Sequence, residues 1–212
     1  ECLTYLNLKE DSIVVDCTLG YGGHSSEILK RIPKGFLYAF DQDIDAIRSS
    51  EKRLREIGDN FEIIQSNFQY LKSALAKRNI TKVDAILFDL GVSSPQLDEK
   101  DRGFSFHQDA PLDMRMDQSQ SLTAKEVVNT YSYQDLVRIF KEYGEEKFAT
   151  SIARAIERQR KEAPIETTLE LAELIKGAVP EKYRREKHPA RKVFQAIRIE
   201  VNRELEVCEI AV

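Results

Sequence analysis

A glycine-rich turn that follows a short apolar run constrains the fold of this chain more than any other feature. The run is Ile13-Val14-Val15, and the turn reads DCTLGYGGH over residues 16–24. Three glycines within four positions let the backbone approach a ligand where any Cβ would clash. The second predicted strand ends at Asp41. A carboxylate at that place, together with the turn, is typical of doubly wound α/β folds that hold an adenosine cofactor by its ribose. The simpler alternative is a tight strand–helix turn followed by an N-capping aspartate.

Strand-like and helix-like segments alternate over the first hundred residues, which predicts a parallel sheet with right-handed crossovers. Ligands of such sheets lie beyond the carboxyl ends of the strands, where several polar or glycine-rich segments fall in this chain. The predicted strands are 13–16, 35–41, 61–65 and 83–89, and the predicted helices are 25–32, 43–57 and 68–77. The candidate ligand segments at the strand ends are residues 20–24, Asp41, 67–68 and 89–96.

Beyond Gln96 the pattern changes from alternation to helices. Residues 98–118 are polar and irregular, and the later chain has apolar residues at helical spacing. Helices are predicted over 123–128, 132–143, 145–160, 168–177 and 190–206. We therefore predict an α/β chain with two domains, in which residues 1–102 plus 198–212 form the sheet domain and residues 103–197 form an inserted helical domain.

Local signals mark where these helices begin and end. Thr123 is followed by Glu126 and Ser132 by Asp135, the spacing of helix N-caps. Gly144 lies between two predicted helices, where we expect a left-handed C-terminal cap.

The charge distribution is uneven along the chain. The net charge is −4, yet residues 147–203 hold 14 Lys and Arg against 8 Asp and Glu. The stretch 182–192 is densely basic and has one aromatic residue, Tyr183. Such a stretch suits contact with phosphates and limited base stacking, so a polyanionic partner is one interpretation. Solvated helix faces and an exposed linker are the alternatives.

Cysteine and histidine usage limits the remaining classes of protein. The three cysteines show no C-x-x-C spacing and the three histidines are scattered, so we expect no structural metal site and a reduced, cytosolic protein. No apolar stretch approaches the ~20 residues of a membrane span.

The segment Asp89–Gln96 follows the apolar run 85–88 and has the composition of an acceptor-rich loop. It suits methyl transfer to an exocyclic amine, whose lone pair is delocalised into its ring. A carboxylate or carbonyl that accepts the amine N–H localises that lone pair and accommodates loss of the proton. The alternative interpretation is a helix N-cap at Asp89 and an ordinary turn over 93–95.

A second irregular stretch mixes aromatic, methionine and charged residues. It contains Arg102, Phe104 and Phe106, followed by residues 111–117. One interpretation has the phenylalanines stacked on a base while an arginine pairs with phosphate. We favour the other, in which these residues pin a long loop to its own domain.

Taken together, the motifs resemble those of the bacterial RsmH (MraW) methyltransferase family from about Ile13 to Leu205. The matching segments, in family order, are VDCTLGYGGHS, AFDQD, DLGVSSPQLD, RGFSF, PLDMRMD, YGEE and HPARKVFQAIRIEVNREL. The resemblance implies an S-adenosylmethionine-dependent enzyme that methylates the exocyclic N4 of a cytidine in 16S ribosomal RNA, near the decoding site of the small ribosomal subunit. It also implies a Rossmann-like methyltransferase sheet with a helical domain inserted after the fourth strand.

The resemblance also assigns roles to individual residues. Asp41 would hold the ribose hydroxyls, Phe68 would pack near the adenine, and Asp89 would face the amine that is methylated. The alternative is that Asp89 serves only the cofactor. The expected cofactor-binding residues are Gly20, Gly22, Gly23, His24, Asp41, Phe68, Asp89 and Gln96. The expected catalytic residues are Asp89 together with Ser93, Ser94 and Pro95, which would shape the cytosine site. The basic stretch and the irregular loop, not the resemblance, supply the expected RNA-binding residues, which are Arg102, Arg184, Arg185, Lys187, Arg191 and Lys192.

The chain departs from the family after Glu206. The family continues there with a helix, a Gly-Gly turn and a strand region, whereas residues 207–212 resemble the family's last strand. We therefore expect a strand at 207–212.

Two other functions are compatible with parts of the pattern. A nucleotide-dependent oxidoreductase would use the same turn and Asp41, but the Gly-x-Gly-Gly spacing and the lack of a hydride-relay histidine at a strand end weaken it. A non-catalytic RNA-binding or ribosome assembly factor that keeps the cofactor pocket is the third. The sequence leaves the oligomeric state open.

Overall fold

Four short strands pair into one parallel sheet in the computed structural model, which describes residues 2–186 and 188–211. The strands are β1 (Ile13–Asp16), β2 (Phe36–Asp41), β3 (Phe61–Gln65) and β4 (Ala85–Leu87). Their order is β3-β2-β1-β4, and every neighbouring pair is parallel. In the register, Val15 lies beside Tyr38 on one side and Ile86 on the other. The predicted α/β fold with a parallel sheet is confirmed.

Helices cover both faces of this sheet. Successive residues of a strand point to opposite faces, so Val14 and Val15 belong to different apolar clusters. The cluster around Val14 contains residues of α2 (Gly23–Arg31) and α3 (Ile44–Arg55). The cluster around Val15 contains residues of α4 (Leu71–Ala76), which follows a 3₁₀ turn at Phe68–Tyr70. Burial on both faces explains why the strands are almost uniformly apolar.

The chain divides into two compact units. The first is Glu1–Ser93 with Glu204–Val212, and the second is Ser94–Arg203. The predicted domain boundaries at 102 and 197 both fall inside the second unit. At the first of them, Arg102 donates to the carbonyls of Arg115 and Met116, which belong to the same unit. At the second, a helix continues without a break through residue 197 to Asn202.

The two ends of the first unit are helical. A single turn, α1 (Cys2–Tyr5), precedes the sheet, and α12 (Glu204–Ala211) follows the second unit. The expectation of a strand at 207–212 is therefore wrong for the described residues. Leucine, glutamate and alanine favour helix, and the acidic residues Glu204 and Glu206 occupy the first turn, where the helix dipole stabilises them. Val207 is buried, and the helix packs against the 3₁₀ turn at Phe68–Tyr70.

The second unit is a helical bundle with its own core. Thr123 forms a capping box with Glu126, and the Ser132 hydroxyl accepts a hydrogen bond from the Asp135 N–H, so both predicted N-caps are confirmed. The helix Ala190–Asn202 packs against the helices Ala124–Thr130, Tyr133–Glu142 and Thr168–Ala178. The helices are α5 (Ser94–Asp98), α6 (Ala124–Thr130), α7 (Tyr133–Glu142), α8 (Ala149–Glu162), α9 (Thr168–Ala178), α10 (Glu181–Glu186) and α11 (Ala190–Asn202).

The left-handed residue after α7 is not the expected glycine. Glu145 has φ 49°, whereas Gly144 has no positive φ. A Cβ on Gly144 would lie 2.6 Å from the carbonyl oxygen of Lys192 and 2.8 Å from that of Phe140. The prediction of a left-handed cap at Gly144 is wrong, because this glycine serves the close approach of two helices instead.

The irregular stretch 98–118 is held by polar contacts with backbone atoms. The side-chain amide of Asn202 donates to the Met114 carbonyl and accepts from the Met116 N–H, both at 2.8 Å. Met114 is fully buried although it has φ 63°, a conformation that costs a non-glycine residue strain energy. Phe104 is also buried. The favoured interpretation, in which this stretch is pinned to its own domain, agrees with these contacts.

Candidate active site

The glycine turn lies at the carboxyl end of β1 and is tied to β2. The Leu19 N–H donates to the Phe40 carbonyl at 2.9 Å, and Gly20 and Gly22 have φ 50° and 76°. A Cβ on Gly22 would also come within 3.1 Å of the Ser50 side chain. The backbone itself therefore explains Gly22, because positive φ favours glycine.

Gly23, the next residue of the turn, differs from Gly22 in backbone conformation and in exposure. It has no positive φ, it is exposed, and a Cβ on it would meet no protein atom within 4 Å. Nothing in the described packing requires a glycine there, so the position leaves room for a ligand to approach the backbone. Gly91, after β4, is similar in having open space around it, although its φ of 147° also favours glycine.

The two carboxylate oxygens of Asp41 hold the first glycine turn. Oδ2 accepts from the Gly20 N–H at 2.7 Å, and Oδ1 accepts from the Asp43 N–H at 2.9 Å. Burial raises the pKa of Asp41 to about 6 against the opposing effect of these hydrogen bonds. The Gln42 N–H also donates to this carboxylate. A carboxylate can accept about four hydrogen bonds, so Asp41 keeps capacity for about one ligand hydroxyl. The sequence prediction that Gly20 and Asp41 share one site agrees with this contact.

A second buried carboxylate, Asp16, lies beneath the turn and was missed by the sequence analysis. It is fully buried at the end of β1, and its Oδ2 accepts from the Ser25 hydroxyl at 2.6 Å. Its Oδ1 accepts from the Thr18 N–H at 3.0 Å and from the Thr18 hydroxyl at 3.4 Å. Burial raises the pKa of Asp16 above its ordinary value. The available signal was an aspartate followed two residues later by a threonine, the spacing of a local side-chain turn.

Asp89, at the end of β4, is linked to the same turn. Its N–H donates to the Thr18 Oγ1 at 2.8 Å. Its carboxylate Oδ2 lies 3.3 Å from the His24 Nδ1, and both side chains are partly exposed, His24 by 39% and Asp89 by 62%. The structure thus brings together the predicted residues His24 and Asp89, with an exposed carboxylate beside the glycine turn.

Phe68 follows β3 and packs against the residue before Asp89. Its ring meets the Phe88 ring edge-on, with the centroids 5.5 Å apart. The preceding Asn67 caps the 3₁₀ turn and donates to the Gln42 side chain at 3.0 Å. Residues that follow β2, β3 and β4 are therefore connected at one edge of the sheet.

The segment after Asp89 is partly helical. Ser93 closes the first unit, whereas Ser94, Pro95 and Gln96 open α5, where Pro95 accepts from the Glu99 N–H at 2.8 Å. The expectation of a loop is wrong for 94–96, because proline fits the first turn of a helix, where its missing N–H is not needed. Gln96 is buried in the second unit. The roles predicted for these four residues remain predictions.

The predicted RNA-binding residues have diverse surroundings. Arg102 is buried in contacts with loop carbonyls, so we no longer expect it to contact phosphate. Arg184 is exposed and donates to the Val179 carbonyl at the end of α9. Lys192 donates to the Glu145 carbonyl at 2.7 Å, and Arg191 is exposed. Lys187 and the side chain of Arg185 lie outside the described residues.

The described part of the chain also bears on metal binding and on membrane insertion. No group of three or more His, Cys, Asp or Glu side chains there is arranged to hold a metal ion. Across residues 2–186 and 188–211, no helix has the length and apolar character needed to cross a membrane.

Comparison with known proteins decides the family. The model of the MraW methylase family matches residues 1–212. The chain belongs to the MraW methylase family. The family predicted from the motifs is therefore confirmed, and with it a methyltransferase on a Rossmann-like α/β fold. Membership also removes the oxidoreductase alternative.

The chain is also similar to individual known proteins, of which one curated relative agrees with this assignment. The chain is 59% identical over 213 residues to the ribosomal RNA small subunit methyltransferase H of Exiguobacterium sibiricum, a match that covers 100% of this chain and 68% of that relative. Among solved structures, an rRNA methylase from Streptococcus thermophilus matches with TM-score 0.34 and 25% identity, over 49% of this chain and 61% of that one. A fibrillarin/Nop5p complex matches with TM-score 0.34 and 14% identity, over 54% and 56% of the two chains.

Proposed function

We propose that this MraW methylase transfers a methyl group from S-adenosylmethionine to the exocyclic N4 of a cytidine in 16S ribosomal RNA, near the decoding site of the small subunit. The name of the Exiguobacterium relative supports the RNA class, and the motif resemblance supports the N4 position. The observation that carries the proposal is the contact of Asp89 with both Thr18 and His24. Through it an exposed carboxylate stands beside a glycine turn of the kind that holds adenosine cofactors.

The residues of the turn fit the proposed donor. Asp41 has acceptor capacity left for about one ribose hydroxyl after it has accepted from the N–H groups of Gly20, Gln42 and Asp43. The open space at Gly23 suits close approach of the donor's methionine end, with His24 next to it. Phe68 offers an aromatic surface near the same strand ends for the adenine. Each role belongs to a residue of the first unit.

Bound S-adenosylmethionine supplies a methyl carbon that is electrophilic because it is attached to a sulfonium sulfur. The N4–carbon bond forms as the carbon–sulfur bond breaks, and N4 loses a proton. We assign to the Asp89 carboxylate the hydrogen bond from the N4 amine, which localises the nitrogen lone pair and receives the proton. The hydrogen bond from the Asp89 N–H to Thr18 fixes the backbone that carries this carboxylate. Positioning of the N4 amine by Asp89 supplies much of the rate acceleration, since the activated methyl group needs only alignment with N4.

The experiment that tests this proposal is a methyl-transfer assay on small ribosomal subunits from cells that lack the methylase. Wild-type protein is incubated with S-adenosylmethionine that carries a labelled methyl group, beside the variants Asp89→Ala and Asp59→Ala. Asp59 is an exposed residue after α3 and serves as the control. We expect label in the small-subunit RNA with wild type and Asp59→Ala, and a loss of at least a hundredfold in rate with Asp89→Ala.

Two results would contradict the proposal. Binding of S-adenosylmethionine without any label in the RNA would favour the non-catalytic assembly factor. Label at the wild-type rate with Asp89→Ala would remove the proposed role of the carboxylate.

A further inference from the structure

Four aromatic rings of the second unit form one cluster, called the stack below after its single near-parallel pair, that the proposed chemistry does not use. The Phe106 ring lies nearly parallel to the His188 ring, with centroids 4.4 Å apart and planes at 17°. His107 lies against the same phenyl ring at 4.4 Å, tilted by 48°. Phe194 meets Phe106 edge-on at 5.4 Å. The stack joins the irregular stretch 98–118 to the first turns of α11.

The stack is buried at one end and exposed at the other. Phe194 is 3% exposed and anchors the group in the core of the unit. Phe106 is half-buried, and both histidines are exposed. Buried aromatic packing explains Phe194 and Phe106, since such pairs stabilise a core. It does not explain why the rings of His107 and His188, which contact Phe106, remain exposed to solvent.

His188 is held in one orientation by the helix that it precedes. Its Nδ1 accepts from the Ala190 N–H at 3.3 Å, and its carbonyl accepts from the Arg191 N–H at 3.2 Å. The acceptor role of Nδ1 requires that the ring proton reside on Nε2. Burial, and secondly the charge of His107, hold the pKa of His188 below its usual range, with Lys176 acting in the same direction and Glu173 opposing. The two hydrogen bonds define the orientation of the His188 ring in the structure.

A flat, exposed ring packed on another aromatic ring is a surface on which unpaired nucleobases can stack. Sequence-specific RNA recognition uses splayed bases that lie on phenylalanine and histidine rings, with nearby cations at the phosphates. Arg191 is exposed and follows His188 by three residues on the first turn of α11. Its charge suits the phosphate next to a stacked base.

We propose that Phe106, His107 and His188 form a stacking platform for an unpaired base of the RNA substrate, with Arg191 at the adjoining phosphate. This inference rests on the proposed function, because it takes RNA as the ligand. It assigns to the second unit a base contact in addition to backbone charge. It also gives an otherwise unexplained pair of exposed rings a binding role.

The test uses a short single-stranded RNA that carries 2-aminopurine, a base whose fluorescence falls when it stacks. Affinity, quenching and the salt dependence of binding are measured for wild type and for His107→Ala, His188→Ala, His188→Phe and Arg191→Ala. We expect His107→Ala and His188→Ala to weaken binding about tenfold and to relieve the quenching, since one base–aromatic stack is lost. His188→Phe keeps a flat ring, so we expect it to retain both the wild-type affinity and the quenching. We expect Arg191→Ala to keep the quenching. The slope of the logarithm of the binding constant against the logarithm of salt concentration should become shallower by the amount that about one phosphate contact contributes.

Thermal unfolding of each variant separates binding from folding. If His188→Ala fails to fold, the test still stands. His107→Ala should then lose affinity and quenching, whereas His188→Phe should keep both. Wild-type quenching and affinity in His107→Ala would overturn the platform while leaving the methylase proposal intact, provided that the same variant still labels small subunits. Failure of wild-type protein both to bind RNA and to label it would overturn the two proposals together.

Discussion

The backbone N–H of Asp89 donates to the hydroxyl of Thr18 across 2.8 Å, although 71 positions separate the two residues. The same hydroxyl lies 3.4 Å from Oδ1 of the buried Asp16. One side chain thus joins the end of β4 to the turn that follows β1. The Thr18 side chain therefore supports both the exposed carboxylate of Asp89 and the glycine turn.

Replacing Thr18 with valine removes the acceptor for Asp89 and keeps the shape of the side chain. We expect Thr18→Val to lower kcat about tenfold, since a hydrogen bond of this kind contributes about 1 kcal/mol and its loss frees the carboxylate to move. Thr18→Ser retains the hydroxyl and should restore most of the rate. Methylation kinetics on small subunits measure both variants. Equal rates for valine and wild type would show that the contact does not position Asp89.

Two adjacent glycines provide a matched pair for the cofactor turn. Gly22→Ala should destabilise the protein by roughly 1–2 kcal/mol, because alanine adopts a left-handed φ at that cost and its Cβ would crowd Ser50. Gly23→Ala should leave the unfolding midpoint unchanged, because its Cβ meets no protein atom. If the donor approaches the backbone there, Gly23→Ala nevertheless loses affinity for S-adenosylmethionine at least tenfold. Calorimetric binding measured beside thermal unfolding checks this, and unaltered affinity in Gly23→Ala would move the donor away from the turn.

The raised pKa of Asp41, about 6, predicts a pH dependence of donor binding. A ribose hydroxyl donates to the ionised carboxylate, so affinity should be half-maximal near pH 6, approach its full value about one pH unit higher, and fall as the pH drops below 6. Asp41→Asn cannot ionise and should bind more weakly at pH 7 with a flat profile between pH 5 and 8. Binding titrations over that range are the measurement. A wild-type profile that matches the asparagine variant would remove Asp41 from the ribose site.

The same shift has a consequence for the unliganded protein. The pKa of Asp41 rises on folding from an ordinary value of 3.8, so the unfolded chain releases its proton first as the pH increases. The contribution of this group to folding stability therefore decreases between about pH 4 and pH 6 and is constant above it.

Asp16 supports the turn from within the core. Asp16→Ala leaves the Ser25 hydroxyl and the Thr18 N–H without their partner, and each unsatisfied buried group costs about 1–3 kcal/mol. We expect a loss of about 2–5 kcal/mol in the free energy of unfolding, measured by denaturant titration. The exposed Asp59, replaced by alanine, should change it by less than about 0.5 kcal/mol. A variant Asp16→Ala as stable as Asp59→Ala would mean that the buried carboxylate does not hold the turn.

Periodicity and local spacing predicted most of the first unit. β1 and β3 have the predicted bounds, and β2 differs by a single residue at its start. The contact of Gly20 with Asp41 was expected because consecutive strands of a parallel sheet end at one edge. These features depend on interactions between neighbours in sequence or on adjacent strands.

One omission and one error concern contacts that no local pattern contains, whereas a second error arose although the local residues favoured the observed structure. The hydroxyl of Thr18 reaches a residue on β4, and nothing near Thr18 in the sequence indicates that partner. Gly144 was explained by its place between helices, whereas its real constraint is the carbonyl of Lys192 on α11. The tail after Glu206 resembles the last strand of the family, but its own residues favour a helix.

The central claim is that a single cytidine amine receives the methyl group. Small subunits from cells that lack this methylase are treated with the protein and S-adenosylmethionine, and the 16S RNA is digested to nucleosides and fragments for mass spectrometry. The account predicts one new methyl group, on N4 of one cytidine in the fragment that contains the decoding site. A methyl group on another atom or another nucleotide, or no added mass with active protein and donor, would contradict it.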